Sequence, residues 1–459
     1  MFRTIFRVVL IVLLLVIIRA NDSSAAESTR PAQPVSTPFE TDARGAPPKD
    51  SPVVRPWRVV TIDPEYGGYW VVVGDIDGDR NMEIVSAKNH NRDDVHFTSS
   101  VVAQRFDGSV LWRWGDPKLG RRKLHHDVAC QIHDLDGDGT NEVVVAGKGE
   151  VIVLEGATGK PRHRFVIEMG ASDCILFADL SGKGRASDII VKTRYSQIWA
   201  YTSDGKLLWT AQKPGGYRTA HRPLPVDLDG DGHDELLAGY AALNHDGSIR
   251  WVFEADPKCK NGGHADCWRV VRLAKNPENT RLAMSMCSGD ALVMTDGNGR
   301  LIWKKTGHHY ESVDVGDICP QRPGLEIAVD IDHLRTPKKP LCIFDEQGNL
   351  LGKIITDYTR QHILTNWNGD GTVQIGSALP RGLFDGRGRR LLTFDVGPGE
   401  KPRLMAAGDM CGNGREDVLL TTISPDGCYK AYIFKNPNQT QKPGYERPPS
   451  GTGPNFTLY

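Results

Sequence analysis

One motif returns along nearly the whole chain and limits what the chain can fold into. It is a short apolar run, a loop dense in aspartate and glycine, and a second apolar run, read most clearly in IHDLDGDGTNEVVVAG from Ile132 to Gly147. Three copies are complete: Asp75, Asp77, Asp79 with Glu83; Asp134, Asp136, Asp138 with Glu142; and Asp227, Asp229, Asp231 with Glu235. Weaker copies begin at Asp179, Asp317, Asn366 and Asp409, and a worn copy near Leu273 keeps the strand pattern without the acids. The starts fall roughly 45 residues apart, the period of propeller blades or solenoid units.

The content of each period decides between these. After the loop come an apolar run such as EVVVAG, a third run such as EVIVLEG, and a turn into a fourth. That last turn is written FDGSVLWRW, TSDGKLLWTA, NHDGSIRWVF and TDGNGRLIWKK, with Gly beside Asp or Asn between apolar runs, as in a hairpin turn needing positive φ. Four strands per period without an amphipathic helix predict an all-β chain, an eight-bladed β-propeller of four-stranded blades. Seven blades is the alternative if the copy near Leu273 forms none. Closure needs a strand from one terminus, for which Trp57 to Asp63 and Asn455 to Tyr459 both qualify.

With 459 residues, 39% of them apolar and 25% charged, the chain can bury a large core. A net charge of −1 argues against a nucleic-acid partner. Arg3 and Arg7, the apolar run Val8 to Ile18, and the small residues Ser24, Ala25 and Ala26 have the layout of an export signal, or of an N-terminal membrane tether. The expected organisation is therefore a signal or anchor over 1–26, a disordered linker over 27–56 and a monomeric propeller over 57–459. Of nine cysteines, Cys259 and Cys267 are the first candidate disulfide, and no CxxC spacing suggests zinc.

Aspartates at loop positions 1, 3 and 5 with an acid at position 9 supply hard oxygens from one tight turn, which suits Ca²⁺. Such an ion would pin the turn between first and second strands, so calcium is expected as scaffold.

The residues ahead of the loops are more telling. At the starts of the first strands stand His125, His126 and Asp127; Tyr217, Arg218, His221 and Arg222; His264, Asp266 and Arg269; His308, His309 and Tyr310; and His362. In a propeller these positions converge on one funnel. Arginine pairs with carboxylates in bidentate fashion, and histidine and tyrosine move protons. β-Elimination from a uronate polymer needs that set: the carboxylate charge must be offset, a base must take the C5 proton and an acid must protonate the leaving oxygen.

The stretches DIDGDRNMEIV, HHDVACQIHDLDGDGTNEVVVAG, PLPVDLDGDGHDELLAGY, HADCWRV and TGHHYESVDVGDICPQRPGLEIAVDID together resemble the catalytic propellers of rhamnogalacturonan lyases (eight-bladed) and ulvan lyases (seven-bladed), built on FG-GAP or VCBS-type repeats. The resemblance runs from about Trp57 to the C-terminus. It implies cleavage of an acidic polysaccharide outside the cytoplasm, with Ca²⁺ in the loops. By that analogy His126 is the base, Tyr217 or Tyr195 its acid or base partner, and Arg218 the carboxylate clamp. His125, His221, Arg222, His264, Arg269, His308, His309 and Tyr310 would contact substrate. The competing reading is a non-catalytic exported propeller that binds glycan or protein, since the acidic loops occur in such proteins too.

Overall fold

The second strands explain the architecture. Glu142–Ala146, Asp188–Lys192, Glu235–Gly239 and Glu326–Ile331 are buried at every position, so they are covered on both faces and read as continuous apolar runs rather than alternating ones. Outer strands such as Pro161–Val166 and Leu301–Thr306 are mostly exposed. Each sheet thus packs both faces against neighbours while its outer edge meets water. A computed structural model describes residues 37–436 apart from 93–94, 124–126, 255–256, 261, 337 and 358–361.

Among the described residues the chain is all-β, with only one short helix, Pro257–Lys260, and two 3₁₀ turns. It forms eight four-stranded antiparallel units in chain order, of which the fourth and fifth join through a parallel bridge, Arg222 to Cys267. The first strands are Trp70–Gly74, Cys130–His133, Ile175–Ala178, Thr219–Val226, Ala265–Arg272, Tyr310–Gly316, His362–Thr365 and Lys401–Gly408. The worn copy near Leu273 does build a unit, the fifth. Closure falls to the N-terminal candidate: Arg58–Thr61 pairs antiparallel with Tyr429–Phe434 as the outer strand of the eighth unit. Residues 455–459 lie outside the described range.

Eight apolar clusters hold the units together, and each spans the junction of two consecutive units. Val72 and Val85 of the first meet Val143 and Val145 of the second, and the series ends where Leu419 and Ile433 of the eighth meet Val71 and Ile84 of the first. Among the described residues the chain of interfaces is therefore closed.

The repeated tryptophan of the fourth strand locks neighbours at the rim. The indoles of Trp112, Trp209, Trp251 and Trp303 donate to the carbonyls of Gly156, His245, Gly297 and Glu346 in the next unit. Each ring lies against a glycine of that unit's hairpin, Gly159, Gly247, Gly299 or Gly348. Those glycines have φ between 68° and 83°, so the position needs both the left-handed backbone and the missing Cβ. Trp251 and Trp303 are thus packing residues.

Two expectations are corrected. The stretch assigned to a disordered linker contains Phe39–Asp42 and Val53–Val54, which pair in parallel with the outer strands Leu350–Thr356 and Arg390–Phe394. Its Ser, Pro and charge content hid two short strands that cap edges otherwise open. The Cys259–Cys267 disulfide is absent: none of the nine cysteines is in a disulfide. Cys259 is packed in the apolar cluster between the fourth and fifth units, whereas Cys267 faces Ser285 and the Glu311 carbonyl towards the sixth. Among the described residues no helix is long and apolar enough to cross a membrane.

Candidate active site

In an antiparallel unit the start of the first strand and the end of the second lie at the same edge. The funnel is therefore lined from both, and the second contribution is the one that the entrance residues alone do not reveal. Lys192 ends the second strand of the third unit and Arg194 and Tyr195 follow it, while Cys287 follows that of the fifth.

These come together with entrance residues of the fourth, fifth and sixth units. His221 Nε2 and His264 Nε2 are 3.0 Å apart. Asp266 Oδ1 stands 3.5 Å from His264 Nε2 and 3.8 Å from His221 Nε2. The Tyr195 ring leans over both imidazoles, with centroids 4.7 Å from His264 and 5.3 Å from His221. Arg194 and Arg218 lie against that same phenol ring, at 4.9 and 4.8 Å. A phenol, two imidazoles, a carboxylate and two guanidiniums thus occupy one place.

Electrostatics set their protonation. Burial drives the His264 pKa down to about 3, helped by the positive charges of Arg218, Lys192, Arg194 and His309. The imidazole is neutral at physiological pH, and the same field favours a bound anion. Burial raises the Tyr195 pKa against the opposing effect of Arg194, so the phenol keeps its proton. Around this centre, Lys192 Nζ is buried and held by Asp173 Oδ2 at 2.7 Å and by the Arg194 carbonyl at 2.9 Å. A buried charge held this way fixes the Arg194–Tyr195 turn, and removing one partner would strand the other. His309 Nε2 meets Glu311 Oε2 at 2.8 Å; burial opposes its charge, but that bond and the Asp266 and Asp332 carboxylates raise its pKa.

The remaining sequence candidates divide. His125 and His126 lie outside the described residues. Arg222 is buried and faces Asp127 at 3.6 Å, and Arg269 faces Asp314 at 3.7 Å while donating to the Trp268 carbonyl. Both are committed to these partners. Tyr217 is not with Tyr195: it is fully buried in the apolar cluster between the fourth and fifth units, with its ring edge-on to Tyr240 at 5.0 Å. Tyr310 likewise packs into the next cluster, and His308 is exposed. Trp268, next to Cys267, is buried and donates to the Gly239 carbonyl. Lys192, Arg194, Asp173, Cys287 and Glu311 were not anticipated; the signal was KTRY directly after the apolar run DIIV, at the phase that returns to the funnel.

Two kinds of cluster could hold a metal. One is mixed: His221, His264 and Asp266, with Asp266 shared by a second group containing Cys287 and His309, the ligand atoms within each group lying inside 4.8 Å of one another. Spacing could not show it, because its members are drawn from the fourth, fifth and sixth units. The other kind is the three acidic loops. There Asp75 accepts from Gly78 and Arg80, Asp134 from Gly137 and Gly139, and Asp227 from Gly230 and Gly232. Glu83, Glu142 and Glu235 each accept from the backbone nitrogen seven residues back. Their donor set of carboxylate oxygens fits Ca²⁺, most openly in the first loop, where Glu83 Oε1 is buried without a hydrogen-bond partner. In the second and third loops arginine contacts the same oxygens: Arg162 bridges Asp136 and Glu142, and Arg250 lies 2.8 Å from Asp229 and 3.3 Å from Glu235.

An all-β fold with acidic turn loops on one side and a His, Tyr, Arg and Asp cluster on the other defines a class: a scaffold of repeated sheets around a polar site suited to an anionic ligand. No protein-family model matches the chain. It is 28% identical over 473 aligned positions, 85% of this chain and 70% of the relative, to the rhamnogalacturonan endolyase YesW of Bacillus subtilis. The exolyase YesX of the same organism is 26% identical across 60% of this chain and 47% of its own length. Among solved structures, a Bacillus licheniformis rhamnogalacturonan lyase superposes with a TM-score of 0.60 at 19% identity, covering 86% of this chain and 77% of that one. YesW does so with a TM-score of 0.58 at 20% identity, covering 85% and 76%.

Proposed function

We propose that the chain is an exported polysaccharide lyase that cleaves a uronate-containing polymer, rhamnogalacturonan-like or ulvan-like, by β-elimination. We read its eight units as the blades of an eight-bladed β-propeller, with Ca²⁺ as a structural ion in the acidic loops and no need of a second copy. The observation that carries this reading is the meeting of Tyr195, His221, His264 and Asp266 with Arg194 and Arg218. The similarity to rhamnogalacturonan lyases supports it.

In the reaction, Arg218 and Arg194 offset the charge of the substrate carboxylate, which makes the neighbouring C5 proton removable. A neutral imidazole of the His221–His264 pair takes that proton, with Asp266 stabilising the imidazolium that forms. The C5–H electrons become the C4–C5 double bond, the C4–O bond breaks, and the Tyr195 phenol gives its proton to the leaving oxygen. A second reading follows from the spacing of His221, His264 and Asp266: these residues would hold a divalent cation against the uronate carboxylate, and proton transfer would rest on Tyr195.

The test is the ultraviolet absorbance of unsaturated uronate product when the full chain is incubated with rhamnogalacturonan, ulvan and polygalacturonate. A rise that vanishes in both Tyr195→Phe and Arg218→Ala supports elimination in the funnel. No rise on any polymer, with measurable binding, would establish the non-catalytic propeller instead. Metal analysis of the purified chain and of His221→Ala separates the two roles of the histidine pair.

A further inference from the structure

We propose that the cleft between the seventh and eighth units, on the side away from the funnel, is a second binding site for carboxylate-bearing oligosaccharide. The choice of ligand rests on the uronate-polymer reading above; the site itself does not.

The position follows from chain direction. His362 opens the first strand of the seventh unit at the funnel, and the loop beyond its far end carries Trp367 and Asp370. In the eighth unit Arg415 sits in the corresponding loop after Lys401–Gly408. Both loops therefore face away from the funnel. The third wall is the N-terminal segment, where Val53 and Val54 pair with Thr393 and Phe394 and Trp57 N donates to the Ile433 carbonyl at 2.7 Å. The cleft so enclosed has a volume of about 990 Å³, at the upper end of the range for small-molecule sites.

Its charge is unbalanced in a particular way. The acids in its lining are turned to their own backbone: Asp370 Oδ1 accepts from Thr372 N at 2.9 Å, and Asp417 Oδ2 accepts from Met410 N at 3.2 Å. Two of the cations are not so committed. Among the described residues neither Arg55 nor Arg415 has an ion-pair partner; Lys435, which also engages Cys411 and acts on Asp417, has its Nζ 3.6 Å from the centroid of Trp57. Arg58 lies against the same indole at 4.6 Å. Two guanidiniums with free donor forks, an ammonium, an indole and an apolar floor containing Trp367 suit a ligand with carboxylates spaced along a sugar backbone.

The experiment uses the full chain carrying Tyr195→Phe, so that polymer is not consumed, and measures binding of polygalacturonate by titration calorimetry with and without Arg55→Ala/Arg415→Ala. Affinity is expected to fall at least tenfold in the double replacement and to recover in part in Arg55→Lys/Arg415→Lys. In the otherwise native chain the double replacement should leave cleavage of short oligosaccharides within twofold. Unchanged polymer affinity would overturn the proposal, as would equal binding of a neutral galactan or of inorganic polyphosphate. Loss of polymer affinity in a chain that shows no elimination would remove the lyase reading and keep this site.

Discussion

The two sides of the units obey different rules. On the loop side the same device is built repeatedly: Glu83, Glu142, Asp188, Glu235, Glu326 and Asp417 each accept from the backbone nitrogen seven residues back, although the loops between vary from complete to worn. On the funnel side the described residues differ from unit to unit, with histidine joined by different partners in each. Tyr195, His221, His264 and His309 come from the third to sixth units, which consecutive interfaces bring side by side. The repeated side makes the scaffold, and chemistry sits where the repeat is broken.

That contrast can be broken most directly at the funnel. His264→Ala should lower the rate of elimination by about 10²–10⁴-fold while the melting temperature of the chain changes little, since the eight clusters are untouched. Trp251→Ala should do the reverse. It removes a ring packed on Gly299 and the bond to the Gly297 carbonyl, and should cost about 2–4 kcal/mol in denaturant unfolding, with the specific activity of the folded fraction preserved. If His264→Ala unfolded the chain, or Trp251→Ala silenced a folded one, the separation of scaffold from site would fail.

How much of this was legible follows the same line. The acidic loops and hairpin glycines could be read because each is a local device, complete within one turn. Lys192 and Cys287 could not be read as site residues, because they lie at the ends of second strands and only antiparallel pairing returns them to the funnel. Tyr217 was misjudged for a related reason: it sits among Arg218, His221 and Arg222, but its ring turns into the cluster between units, and sequence phase does not show direction. The strands Phe39–Asp42 and Val53–Val54 were invisible because an edge strand of two to four residues needs no apolar period when its partner supplies the register.

The capping acid gives a smaller effect with a defined pH window. Burial raises the Glu326 pKa to about 8, so the folded chain holds that proton more tightly than the unfolded one. Stability from this group is then present at low pH and lost as pH rises between about 4.5 and 8. Glu326→Gln should flatten that decline, giving a gain of about 1–2 kcal/mol at pH 9 in chelator-treated protein, measured by urea unfolding across pH. Gln374 occupies the equivalent position in the seventh unit, so the replacement is one the architecture already accepts.

The finest distinction lies within the loop side, between an ion and an arginine. In the first loop Arg105 reaches Asp77 at 3.2 Å and leaves Glu83 Oε1 without a hydrogen-bond partner. In the second, Arg162 engages Asp136 and Glu142 together. A guanidinium and Ca²⁺ offset the same negative charge, so they compete, and the loop with the more engaged arginine should bind calcium more weakly. Arg162→Ala is therefore expected to strengthen calcium binding by the second loop several-fold, equivalent to about 1 kcal/mol. Without calcium it should destabilise the chain slightly, because Asp136, Asp138 and Glu142 would then repel one another unrelieved. Calcium titration of the melting temperature in the native chain and in Arg162→Ala reads both effects. An unchanged calcium response would mean that the arginine and the ion occupy different sides of the loop, and that the second loop's acids serve the turn alone.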